Sequence, residues 1–83
     1  MATQVANQYI FEGTVSGTAT VNFGATICRM TLTNDSATKD LSWRVNSTQT
    51  YATLKPTESV SLDIRTDKVH LSGNGPYRAW GFN

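Results

Sequence analysis

The stretch Thr14-Val15-Ser16-Gly17-Thr18-Ala19-Thr20-Val21-Asn22-Phe23 decides the fold class. Its odd positions are apolar or small, and its even positions are all polar. Side chains of a strand point alternately to opposite faces, so this segment reads as a strand with one dry face and one wet face. Residues 28 to 33 repeat the alternation with the opposite parity, Cys28, Met30 and Leu32 against Arg29, Thr31 and Thr33. Gly24 lies between the two runs, where a turn or bulge is expected to change the parity.

Leu41, Trp43 and Val45 alternate with Ser42, Arg44 and Asn46, which places Trp43 in the core. Ala52 and Leu54 form a short run after Tyr51. Val60, Leu62 and Ile64 alternate with Ser59, Ser61 and Asp63. Val69 and Leu71 flank His70, Tyr77 to Phe82 is an extended aromatic segment, and Tyr9 to Phe11 forms an early one. Thr and Val favour a pleated surface, and no window carries a sustained helical repeat. The sum is an all-β protein, a small antiparallel β-sandwich or barrel of six to eight short strands. Residues 1–8 read as an N-terminal arm and 9–83 as the single domain.

The connections are also legible. Asn34 to Asp40 is a polar loop, and Lys55-Pro56-Thr57-Glu58 puts Pro where its fixed φ suits a tight turn. Gly73-Asn74-Gly75-Pro76 reads as a flexible turn. A two-residue loop at Thr66-Asp67 would set Ile64 against Val69 and Leu62 against Leu71 inside, with Asp63 against His70 outside. Arg65 would then oppose Lys68, a mild like-charge penalty at the mouth.

The chain has 83 residues, enough for one core. A domain of this size buries roughly 60–65% of its unfolded surface, so the stability margin is thin. Cys28 is the only cysteine, which closes the disulfide route, and one Cys with one His does not supply a zinc set. Oligomerisation is the remaining route to extra stability, which points to a homo-oligomer, a trimer being one form. A net charge of +1 gives no basic footprint for nucleic acid. No apolar run approaches the length of a membrane span, and Met1 to Gln8 lack the pattern of a signal peptide. Synthesis and assembly in a cytoplasm are therefore expected.

No catalytic set, cofactor motif or metal set stands out, so the chain reads as a structural or binding module and not an enzyme. Asp63 and His70 lack a nucleophile and an oxyanion donor, and read as a surface cross-strand pair. Cys28, in phase with Met30 and Leu32, reads as a buried thiol. In the closing segment, alternation puts Arg78, Trp80 and Phe82 on one side and Tyr77 and Ala79 on the other. An Arg beside Trp and Phe serves core or edge packing, a partner interface or a glycan platform. Val5 in the arm and Tyr9 behind it complete the interface candidates, since such an arm can add to a neighbour by strand pairing.

Three quoted stretches carry a resemblance: Thr33-Asn34-Asp35-Ser36; Asp40-Leu41-Ser42-Trp43-Arg44-Val45; and Thr53-Leu54-Lys55-Pro56-Thr57-Glu58-Ser59 running into Val60 to Arg65. With Lys68 to Leu71 and Tyr77-Arg78-Ala79-Trp80, they resemble small accessory virion proteins of tailed bacteriophages. The resemblance covers roughly the last fifty residues and consists of turn-and-strand phrases. It implies a β-sandwich that decorates or cements a capsid, bound to the major capsid protein or other virion proteins and assembled in a bacterial host. A tail, neck or fibre-attachment component fits the same residues, and a small glycan-binding module using Tyr77, Trp80 and Phe82 is the alternative reading.

Overall fold

The structure, a computed structural model, describes residues 8 to 83. Among them the chain is all-β, with six strands and no helix. These are β1 (Gln8–Ile27), β2 (Arg29–Asn34), β3 (Leu41–Arg44), β4 (Ala52–Leu54), β5 (Ser59–Leu62) and β6 (Thr66–Phe82). Gln8, assigned to the arm on sequence, opens β1. Two strands are long and not short, because expected neighbours fuse. Tyr9–Phe11 joins the Thr14–Phe23 run in β1, and Val69–Leu71 joins the aromatic ending in β6.

β6 is the spine of the sheet. Along one edge it pairs with β1 without interruption from Gln8↔Phe82 to Asn22↔Lys68. Along its other edge it pairs first with β3, from Arg44↔His70 to Leu41↔Gly73, and then with β2, from Asn34↔Tyr77 to Arg29↔Phe82. β4 flanks β3 and β5 flanks β2.

This sheet curls on itself. A straight strand from Phe11 to Phe23 would span roughly 40 Å, yet the two ring centroids are 5.6 Å apart, edge to face. The β1–β6 ribbon must therefore bend between them. Gly17 (φ 91°) and Gly73 (φ 151°) sit directly opposite each other in the register, and together they form the corner. One half of the folded ribbon carries β2 and β5, the other carries β3 and β4. Val15, Val21, Phe23 and Ile27 of β1 meet Met30, Leu32, Leu41, Leu54, Val69, Leu71 and Ala79 between them. Each fully buried aliphatic side chain there contributes about 1.5–3 kcal/mol before entropy is counted. Trp43 is only half-buried and packs against the edge of this cluster.

Four local expectations need correction. Parity changes at Cys28–Arg29, two exposed residues between buried Ile27 and Met30, and not at Gly24. Gly24 (φ 79°) instead belongs to a bulge between Asn22 and Ile27, where its N–H is bonded by Asn22 Oδ1 at 2.9 Å. Second, the Thr66–Asp67 hairpin does not form, because β5 pairs with β2. That pairing matches Leu62 with Met30 and Val60 with Leu32, and joins Thr31 to Ser61 and Thr33 to Ser59 by hydroxyl bonds of 2.9 Å each. It also avoids the Arg65–Lys68 mouth. Third, Cys28 is exposed, since the parity change turns it outward.

Fourth, Gly73 to Pro76 is not a turn but strand. Its glycines serve a close approach: a Cβ at Gly73 would meet the Asp40 carbonyl at 3.0 Å, and one at Gly75 would meet Ser36 Cβ at 3.1 Å. The loop from Asp35 to Asp40 thus crosses β6 in the gap between β3 and β2. Pro76 fits that gap, since its carbonyl accepts from Asp35 N–H at 3.1 Å and its missing N–H faces the same way. The Lys55–Glu58 turn forms as expected, closed by Glu58 N–H to the Lys55 carbonyl at 3.0 Å.

Candidate interaction surface

The outer face of the β1–β6–β2–β5 half is a set of three rows fixed by register. Gln8, Phe82 and Arg29 form the first, which the Arg29–Asp63 ion pair extends, and Ile10, Trp80, Thr31 and Ser61 form the second. Glu12, Arg78, Thr33 and Ser59 form the third. Ala79 and Gly81, between these positions on β6, are buried on the other face. A Cβ at Gly81 would lie 2.7 Å from Ile27 Cγ2, so the folded-back end of β1 can pack there only against glycine.

Of the sequence candidates, Arg78, Trp80 and Phe82 come together on this outer face, each half-buried. Tyr77 and Tyr9 do not join them. Both pack against the core, and Tyr77 lays its ring over Gly13, with Oη 3.1 Å from where a Cβ would stand. A glycan platform built from Tyr77, Trp80 and Phe82 is therefore not assembled. Val5 lies outside the described residues.

The sequence reading missed Ile10 and Arg29. Among the described residues Ile10 is the most exposed large apolar side chain at 54%, and with Phe11 at 37% it places both exposed large hydrophobics of that set on β1. Its short flanking run gave no alternation to read. Arg29 meets Asp63 at 3.5 Å, and both side chains are largely exposed. An open groove of about 420 Å³ lies beside Trp80 and Phe82, bounded by Arg29, Thr31 and Ser61.

Arg78 is held by a two-pronged bond to Asp35, Nε to Oδ2 at 2.8 Å and Nη2 to Oδ1 at 3.0 Å. That hydrogen bonding, and then the charge of Asp35, raises the Arg78 pKa above its ordinary value. Its guanidinium carbon also lies 5.8 Å from the Trp80 ring centre. Among the described residues the buried Trp80 Nε1 has no hydrogen-bond partner, a cost that an acceptor reaching it would remove.

The backbone of β1 adds a second feature. The Phe82 carbonyl accepts from Cys28 N–H at 2.8 Å, so Phe82 faces β2, and Gly81 faces β1. In the unbroken register, the odd residues of β1 then bond β6, while Ile10, Glu12, Thr14, Ser16, Thr18 and Thr20 aim N–H and C=O away from it. Among the described residues no strand pairs with that edge. Such an edge is commonly guarded by Lys, Pro or frequent charge. From Gln8 to Ile27 there is no Lys or Pro, and Glu12 is the sole charge.

The expected surface cross-strand pair of Asp63 and His70 does not form: Asp63 sits by Arg29, and His70 Nδ1 lies 3.2 Å from Thr20 Oγ1. Among the described residues no three His, Cys, Asp or Glu side chains gather to hold a metal. No protein-family model, curated protein or solved structure matches the chain.

Proposed function

We propose that the protein is a non-enzymatic accessory subunit of a tailed-bacteriophage particle, a capsid decoration or cement protein. It ties neighbours together by contact alone. The phage setting rests on the turn-and-strand resemblance. The mode of action rests on one observation: an unguarded strand edge lies beside the exposed Ile10 and the half-buried Trp80 and Phe82. Main-chain pairing at the edge would supply affinity, and the ring faces would supply specificity. The partners under this reading are the major capsid protein and further copies of the chain.

The test uses gradient-purified particles of the phage that encodes it. The chain is expected to band with heads, including heads without tails. Ile10→Lys, at an exposed position, is expected to keep the fold and lose the particle. Absence of the chain from purified particles contradicts the proposal, as does full occupancy by the Ile10→Lys variant. Recovery with tails alone would move it to the tail or neck.

A further inference from the structure

A second open groove, of about 420 Å³, lies between the turn after β3 and the start of β6. Arg65, Lys68 and His70 line it, and Asp67 is the one carboxylate among its walls. Neither Arg65 nor Lys68 has an ion-pair partner among the described residues, whereas Arg29 and Arg78 are both paired. Of the five Lys and Arg side chains without an ion-pair partner among the described residues, Arg65 and Lys68 face this one trough.

The neutral walls are arranged as donors too. Asn46 Oδ1 already accepts the Thr48 N–H and the Thr48 hydroxyl, at 3.0 Å each. What Asn46 has left to offer is its amide NH₂. His70 meets Thr20 at Nδ1, and its Nε2 donates in the tautomer that carries the proton there. Ser47 and Gln49 add a hydroxyl and an amide, and Val45 is the one aliphatic wall.

We propose that this groove binds an acidic peptide segment of a partner protein. The volume is on the order of a dozen waters, far more than a single oxyanion fills. The occupant is therefore extended, polar and negatively charged. No Phe, Tyr or Trp lines the trough, and the His70 imidazole is its one ring, so it lacks the run of ring faces on which successive bases of a single strand stack. Asp67 further opposes a continuous phosphate backbone. The site shares no residue with the β1 edge and the Trp80 row, and it does not depend on the particle reading.

The experiment is a titration of the ¹⁵N-labelled protein with N-acetylated hexaglutamate at low salt, followed by amide shifts. Saturable shifts are expected at residues 45–49 and 65–70. The affinity should fall with added salt, and roughly fivefold in Lys68→Ala. Arg65→Ala/Lys68→Ala should weaken it further, with the spectrum of each variant reporting that it remains folded. Should a variant unfold, Arg65→Gln and Lys68→Gln replace the alanines. N-acetylated hexalysine should cause no shift. The proposal is overturned if hexaglutamate gives no saturable shift, or if the folded variants bind it as well as the parent. It is equally overturned if inorganic phosphate saturates the same amides at lower concentration, or if oligothymidylate binds more tightly than the peptide.

Discussion

Asn34 is the residue on which the loops depend. It is 2% exposed. Its Nδ2 donates to the carbonyls of Lys39 at 2.8 Å and Leu54 at 3.1 Å, and its Oδ1 accepts from Ser36 N–H at 3.0 Å. One amide therefore joins the crossing loop, the end of β4 and β2. Asn34→Ala leaves those buried groups unpaired and should cost about 2–3 kcal/mol, read as a fall in Tm of roughly 10–20 °C by circular dichroism. Thr57 has the opposite character. Its φ of 68° is the positive value that the third residue of a type II turn requires and that a β-branched side chain resists. Thr57→Gly should raise stability by about 1 kcal/mol, seen as a higher midpoint in urea. Cys28, turned outward at the parity change, should react with a thiol reagent in the native protein within minutes. Protection until denaturant is added would place it back in the core.

At the level of strands, alternation identified most faces correctly, Cys28 excepted, and partners poorly. Val15, Val21, Phe23, Met30, Leu32, Val69 and Leu71 are all buried as their parity requires, and Arg78, Trp80 and Phe82 lie on the face opposite Ala79. Period-two patterning encodes which side is dry, and that is a local property. Pairing is not local: β1 meets β6 across the whole chain, so no short window could show that Thr66–Asp67 starts a strand. The glycines misled for a related reason. Gly73 and Gly75 carry a turn-like signal, yet they exist because the loop from Asp35 to Asp40 lies on top of them. The Trp80 side of the surface was legible, whereas Ile10 and the open edge became visible only once β1 had a partner. The edge assignment makes a paired prediction. Thr14→Pro removes an N–H aimed away from β6 and should change stability by less than about 1 kcal/mol. Val15→Pro removes one bonded to β6 and should cost about 3 kcal/mol or more. Urea unfolding of the two variants checks the difference, and equal losses would mean that the edge is not open.

For the molecule as a whole, a thin stability margin and an unguarded edge belong together. One ribbon bent at the Gly17–Gly73 pair holds both layers, so the fold gains its core without closing its boundary strand. Two salt bridges join its described residues, and both are solvent-accessible, so charge pairing adds little to that margin. The direct test is amide hydrogen exchange along β1, measured for the dilute protein and for the protein on particles. In the dilute protein the odd amides from Phe11 to Val21 should be protected, and those of Ile10, Glu12, Thr14 and Ser16 should exchange at nearly unfolded rates. On the particle those even amides should become protected. Strong protection of the even amides in the dilute protein, or no change on the particle, would contradict an edge that works by pairing with a neighbour.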